Sequence, residues 1–397
     1  MGLPGFSIAA VVIVVLTSCS GPGEAVPRPT PNDRSLDNAL IAAAWANDIP
    51  EARRLVAAGA DVNAKDATEQ NAFLIAASEG YIELLEFTLD NGADVATLDS
   101  YNGTALIRAA ERGHGPIVGR LLRTPIVVDH VNNLGWTALH EAIVLGKGTQ
   151  RYVDTVRLLV AGGANLQLAP TGDGISPLEH ARTRGQTAVV ETLATALCPP
   201  PADPMSALLA AAAQGDADVV AVAIRAGAPI EHRDARGRTA LLLASAADQV
   251  DVARLLVALG ADPDAQDDQS DTPWLVTGVT GSVAMGTVLF QAHPDLALRN
   301  RFGGVSVIPA SERGHVDYVR WVVGNGINVN HVNNLGWTAL LEAVILGDGS
   351  ERYQQIVQIL LAAGADPNLA DSDRRTPLAH ARTRGQPAIA DILEQAR

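Results

Sequence analysis

Several residue types are scarce in this 397-residue sequence, and each scarcity excludes something. There are two cysteines, Cys19 and Cys198, too few for a disulfide framework or a thiolate zinc site. Lysine occurs only at Lys65 and Lys147, and the formal net charge is −15. Such a chain has no general affinity for nucleic acid or anionic lipid headgroups. Aromatic residues make up 4% against 47% hydrophobic residues, so any core must be built from Ala, Leu and Val. No GxSxG, HExxH or phosphate-binding loop occurs, nor any Cys/His cluster with metal spacing. The acidic stretch 262–271 lacks the glycine and distal glutamate of a calcium loop and reads as turn chemistry. His180 and His380 read as structural. No catalytic residues, cofactor or metal are expected.

Long apolar runs are also lacking, with one exception at 8–17, IAAVVIVVLT. A bilayer-spanning helix needs about 20 apolar residues, so this run suits the core of a signal peptide covering 1–18. The residues Leu16-Thr17-Ser18-Cys19 resemble the lipobox of bacterial lipoproteins, although the segment before them carries no Lys or Arg. That resemblance implies that Cys19 is lipidated and becomes the mature N-terminus. Residues 20–35, rich in Pro and Gly, then act as a semi-extended tether within the stretch 19–35. The expected location is the cell envelope, outside the cytoplasm and lipid-anchored to a membrane. A cytoplasmic scaffold is the alternative if the N-terminus is not processed.

What the chain has in abundance is repetition. HVNNLGWTAL occurs at 130–139 and again at 331–340, 201 positions on, and HARTRGQ occurs at 180–186 and 380–386. A weaker pattern runs throughout: a Thr, Ser or Asn, an Ala pair, a Gly, then a Leu/Val-rich stretch ending near Gly-Ala-Asp. Its phase marks fall at 36, 69, 102, 135, 174, 204, 237, 270, 303, 336 and 374. Most steps are 33 residues, with exceptions of 39, 30 and 38. Thr104, Thr137, Thr239 and Thr338 stand where a hydroxyl can cap a first helical turn, and Pro273 and Pro377 follow such a position. Gly113, Gly185, Gly314 and Gly385 stand where a first helix needs a left-handed residue to end.

Gly135-Trp136-Thr137-Ala138-Leu139-His140, Ala109-Ala110-Glu111-Arg112-Gly113-His114 and Gly364-Ala365-Asp366 are similar to the front, middle and end of an ankyrin repeat. The likeness extends over 36–397. It implies an all-α solenoid of about eleven repeats, each a hairpin or turn plus two antiparallel helices. Repeats 1–5 would span 36–198 and repeats 6–11 would span 204–397, with a Pro-rich break at 199–203 between them. The 201-residue offset identifies an internal duplication of about six units. The 30-residue step across the break is close to phase, which predicts one continuous solenoid more than two arrays joined by a hinge.

Departures from the repeat rule locate candidate contacts. The long steps arise from about five extra residues within 147–152 and 348–353, each copy keeping an Arg and a Tyr. Either the segment projects, offering Arg151, Tyr152, Arg352 and Tyr353, or the Tyr packs down and the Arg stays solvated. Trp136 and Trp337 follow the hairpin glycine and serve as binding anchors or as covers over a turn. His130, His331, Asn132 and Asn333 read as turn hydrogen bonding. The units at 123–129 and 303–309 look degenerate and predict local fraying. The ankyrin resemblance implies a monomeric, non-enzymatic scaffold that binds a protein through its concave face and hairpin tips. An inhibitor or protector of an envelope enzyme is a narrower version, and an enzyme with an unrecognised site is the alternative of another class.

Overall fold

The computed structural model describes residues 34–169 and 174–396. The expected signal peptide, Cys19 and nearly all of the tether lie outside the described residues. The described chain forms 22 helices and no strand, arranged as eleven antiparallel pairs. The first array pairs α1 (Arg34–Trp45) with α2 (Ile49–Ala57), α3 (Ala72–Glu79) with α4 (Ile82–Asp90), and α5 (Ala105–Arg112) with α6 (Gly115–Leu122). It ends with α7 (Ala138–Val144) and α8 (Gln150–Ala161), then α9 (Pro177–Thr183) and α10 (Thr187–Leu197). The second array begins with α11 (Pro204–Gln214) and α12 (Ala217–Arg225), α13 (Ala240–Ala246) and α14 (Val250–Ala258), α15 (Pro273–Thr280) and α16 (Val283–Phe290). It ends with α17 (Val307–Arg313) and α18 (Val316–Val323), α19 (Ala339–Ile345) and α20 (Glu351–Ala362), α21 (Pro377–Thr383) and α22 (Pro387–Gln395).

Each helix starts and stops for a local reason. Thr104, Thr239 and Thr338 hydroxyls accept from the amides of Ile107, Leu242 and Leu341 at 3.3, 3.2 and 3.2 Å. Gly113 and Gly314 end α5 and α17 at φ +69° and +76°, a conformation that costs other residues strain. Pro273 and Pro377 take the first helical position, where no N–H is needed. Between repeats the chain makes a tight hairpin anchored on one side chain. The Asp99 carboxylate accepts from the amides of Tyr101 and Gly103, both at 2.8 Å. Asn132, Asn300 and Asn333 oxygens do the same at 3.0 Å in their own hairpins. An Asx residue two positions before the tip therefore fixes which side chain stands at the tip.

Stacking buries the small and branched residues as the repeat pattern demands. Ala76, Ala77, Ala109 and Ala110 in first helices are fully buried, so neighbouring first helices approach closely. Leu84, Leu85, Val118, Leu121, Val156 and Leu159 close the second-helix layer. No unit buries both of its faces alone, and the core is continuous through the stack. The unit at 303–309 is not a weak link: Val305, Val307, Ile308 and Pro309 are all buried. Pro309 is the third residue of α17, among the first four whose N–H groups have no helical partner, so it removes no hydrogen bond. Trp274, Phe290, Tyr318 and Trp321 fill the neighbouring layer with ring centroids 5.7–6.2 Å apart. The Tyr318 hydroxyl shares a 2.6 Å hydrogen bond with Thr277, and burial pushes its pKa up to about 12.

The expectation of one continuous solenoid is overturned. After α10 the segment 198–203, with three prolines, cannot extend the helix, and the second array doubles back. First helices stack in order from α1 to α9 and again from α11 to α21. Second helices stack within each array too, but they also pack across the arrays: α12 on α8 and α10, and α14 on α6 and α8. The two arrays thus lie back to back at their convex faces. Arg157 on α8 reaches Asp218 on α12 at 2.6 Å and Asp251 on α14 at 4.0 Å. Arg254 on α14 reaches Asp154 on α8 at 3.0 Å and also pairs with Asp251. Arg225 donates to the carbonyls of Val160 and Ala164, at 3.1 and 2.8 Å, at the end of α8. These partners are half-buried and mutually linked, the setting in which ion pairs are least screened.

The duplicate shows which residues this junction requires. At the positions of Asp154 and Arg157 the second copy has Gln355 and Gln358, and at the position of Gly119 it has Arg320. Gly119 lies on α6 against the backbone of Ala258, where a β-carbon would overlap the carbonyl oxygen. Arg320 and Gln358, on the outer face of the second array, are exposed. Gly119→Arg installs a residue that the repeat itself accepts and the junction does not. The expected result is unchanged helical circular dichroism with a larger radius of gyration by small-angle scattering. An unchanged radius would show that the arrays are not held together at α6 and α14.

Candidate functional site

Back-to-back packing leaves both concave faces, made of hairpins and first helices, uncovered by the other array. The Asx anchors make their hairpin tips directly comparable. The residue two after the anchor is Thr68, Arg236, Gln269 or Asp373 in four hairpins. In four others it is apolar: Tyr101, Leu134, Phe302 and Leu335. These four form two adjacent pairs, one per copy, and are 55–60% exposed. Adjacent tips are tied by backbone, with Asn133 N–H donating to Tyr101 O at 3.0 Å and Asn334 N–H to Phe302 O at 2.9 Å. His130 and His331 rings bond the backbone carbonyls of Asn102 and Gly303 at 2.8 and 2.7 Å. Exposed apolar side chains on neighbouring, backbone-tied tips form a candidate contact surface.

Below the first pair lies a cavity of about 210 Å³ lined by Tyr101, Arg108, Glu111, Asn132, Leu134, Glu141 and Leu145. Its floor is charged. Glu141 on α7 is only 1% exposed; one carboxylate oxygen accepts from Asn132 Nδ2 at 2.7 Å, and the other is buried without a hydrogen-bond partner. Burial raises the Glu141 pKa above the usual carboxylate range. Arg108 pairs with Asp99 and, at 2.9 Å, with Glu111, and its guanidinium lies 5.4 Å from the Tyr101 ring centre.

The second copy rebuilds the same site with different parts. Phe302, Leu335 and Leu346 stand for Tyr101, Leu134 and Leu145, and Leu346 matches Leu145 at 46% exposure. Glu342 accepts from Asn333 Nδ2 at 2.8 Å, and burial followed by the nearby Glu312 charge raises its pKa to about 7. At the positions of Asp99 and Arg108 stand Asn300 and Pro309. A carboxylate and a guanidinium have been exchanged together for neutral residues, so each floor keeps a formal excess of two negative charges.

The extra residues between helices serve this site from behind. Tyr152 and Tyr353 are buried, so the idea that their rings meet a partner is corrected. Their hydroxyls donate to the carbonyls of Glu111 and Glu312 at 3.2 and 2.9 Å, pinning the start of α8 and α20 under the neighbouring first helices α5 and α17. Gln186 donates to Ile143 O and Gly146 O at 2.8 and 3.0 Å, and Gln386 repeats the bonds to Val344 and Gly347. The segment is therefore braced, and Leu145 and Leu346 stand at its mouth. Arg151 and Arg352 remain exposed, with guanidinium carbons 4.9 and 5.0 Å from the centres of the adjacent tyrosine rings. Trp136 and Trp337 are half-buried one residue beyond the hairpin glycine, their amides held by Asn132 and Asn333. The tip residues Tyr101, Leu134, Phe302 and Leu335 are not among the contacts expected from sequence. Their signal is an apolar residue at an Asx-plus-two position that is polar in the other anchored hairpins.

Helix pairs stacked one on the next through hairpins define a helical repeat solenoid. The chain belongs to the ankyrin repeat family: a profile of three ankyrin repeats matches residues 39–129, 72–170, 106–204, 178–267, 284–371 and 308–396. It is similar to the putative ankyrin repeat protein YahD of Escherichia coli K12, 41% identical over 186 residues, covering 47% of this chain and 92% of that protein. An ankyrin repeat domain from Acinetobacter baumannii AYE, known from a crystal structure, is 48% identical with a TM-score of 0.46. That likeness covers 48% of this chain and 96% of the other. A 66-residue stretch is 41% identical to human mitochondrial disaggregase, taking in 17% of this chain and 9% of that protein. Nearly all of YahD corresponds to under half of this chain, as a duplication of a single array would give. Ankyrin repeat proteins are in general binding scaffolds and not enzymes.

One titration tests the floor. The Glu342 pKa is raised on folding, so its contribution to stability is complete below the ordinary carboxylate value and is lost as pH rises through about 7. Glu342→Gln keeps an acceptor for Asn333 and cannot ionise. Thermal denaturation should show the variant more stable than the parent at pH 8, by up to about 3 kcal/mol, and no more stable at pH 4. Equal stability at both pH values would mean that Glu342 is not buried in its charged form.

Proposed function

We propose that this protein is a lipid-anchored, extracytoplasmic scaffold of a bacterial envelope that binds a protein partner through its two tip sites. The observation that carries the reading is the pairing of apolar tips, Tyr101 with Leu134 and Phe302 with Leu335, in the same two hairpins of each copy. Other anchored hairpins place polar residues there, so the exposure is selective and not a property of the repeat. Arg151, Arg352, Trp136 and Trp337 border these tips as further contacts. The anchor rests on the sequence alone, on the apolar run before Cys19 and the Pro-rich stretch after it. A chain of net charge −15 favours a partner with a basic surface, and salt slows such an encounter.

Capture of the crosslinked full-length protein from cells, wild type against Leu134→Ala with Leu335→Ala, tests the sites. One protein enriched with the parent and reduced about tenfold or more with the double variant is expected, since apolar contacts at the centre of an interface dominate affinity. Equal capture by both places the contact elsewhere. Cys19→Ala should abolish fatty-acid labelling and release the protein from the membrane fraction. Unchanged fractionation would remove the anchor from the reading.

A further inference from the structure

We propose that each tip site takes one basic side chain of the partner, a lysine or arginine, laid between the apolar walls with its charged head at Glu141 in one copy and Glu342 in the other. The proposal rests on the tip-site reading and adds the chemistry of what enters. Three observations carry it. First, the floor holds a carboxylate oxygen of Glu141 that is buried, lacks a hydrogen-bond partner and belongs to a residue lining the cavity. A buried acceptor of that kind is satisfied by an incoming donor and is left orphaned by an apolar side chain. Second, the walls are the wrong chemistry for a small polar ligand and the right chemistry for an aliphatic stem. Tyr101, Leu134 and Leu145 can cover the methylenes of a lysine or arginine while its head reaches the floor. The cavity, about 210 Å³, has room for one such side chain and not for a folded element.

Third, the two copies diverged in sequence and kept their charge. Asp99 and Arg108 are neutralised by each other in the first copy, and both are replaced, by Asn300 and Pro309, in the second. Losing only the arginine or only the aspartate would have changed the floor by one unit. What survives in both is a pair of carboxylates, Glu111 with Glu141 and Glu312 with Glu342, under an aromatic and two leucines. An acidic ligand group would meet two like charges there, and a neutral one would leave them unanswered.

The test uses the full chain labelled with carbon-13 at leucine methyl groups, titrated with N-acetyl-Leu-Lys-Leu amide and with the analogue carrying norleucine for lysine. Norleucine keeps the apolar stem and removes the charge. Expected are shifts at Leu134, Leu145, Leu335 and Leu346, with the lysine peptide binding at least about tenfold more tightly, the range of a desolvated charge pair and above that of an exposed one. Glu141→Gln with Glu342→Gln, close in shape to the parent, should abolish that preference and leave norleucine-peptide binding intact. Equal affinity of the two peptides for the parent would overturn the basic-head inference and leave the tip sites standing. Survival of the lysine preference in the double glutamine variant would overturn it in the same way. If neither peptide moves these methyls, the tip-site reading falls with it.

Discussion

A pair of short helices has two apolar faces and cannot cover both by itself. That constraint shapes the whole molecule. Within each array it is met by stacking, first helix on first helix and second on second, which is why Ala pairs line one layer and Leu and Val the other. Between arrays it is met a second time. The convex surface of α6, α8 and α10 carries Leu158 and Val160, which are almost wholly buried. The second array supplies α12 and α14 as their cover. The hairpins, by contrast, are held by single Asx side chains and need no partner to keep their shape. They are thereby free to carry side chains chosen for contact.

Duplication followed by divergence separates the two demands. Where residues serve stacking, the copies agree: Thr137 and Thr338, Tyr152 and Tyr353, Gln186 and Gln386 make the same bonds. Where they serve the junction, the copies differ, as Arg157 differs from Gln358 and Gly119 from Arg320. The tip sites follow a third rule. Their exposed apolar tips and formal charge are kept while individual residues change, Tyr101 to Phe302 and Asp99 with Arg108 to Asn300 with Pro309. A site that keeps its chemistry more than its residues is under a different constraint from a core.

Most of the fold is legible in the sequence because repeat structure is local. A Thr cap, an Ala pair and a terminating Gly each act within one turn, so a 33-residue phase places every helix pair. The doubling back is not legible from that phase. It depends on which residues of α6 and α8 find partners about a hundred positions later, and a 30-residue step looks the same whether the stack continues or turns. The signal for it lies in the comparison of copies, in the Asp154 and Arg157 that the second copy lacks. The tip site is half legible. Asn132 and Asn333 read as turn residues, and the structure makes them anchors of the hairpins. Trp136 and Trp337 stand out by size, while the exposed Leu134 and Leu335 lie two residues earlier in the same decapeptide. Tyr152 and Tyr353 are legible only in part. An insertion suggests projection, but a Tyr with a backbone carbonyl of the neighbouring first helix in reach packs inward.

The junction also adds the contacts that span the most sequence. Pairs within each array join residues a few tens of positions apart, so either array can zip from any nucleus along its length. The contact of Arg254 with Asp154 closes a loop of about a hundred residues, and the loop-closure entropy of such a contact is met only once both surfaces exist. Each array holds its own stack, and docking adds the long-span contacts to it. Undocked, the faces of α6, α8, α12 and α14 would be open to any other apolar surface, including the same faces on another copy of the chain. The Pro-rich segment at 199–203 keeps the two halves of one chain at high effective concentration, which favours docking within the chain.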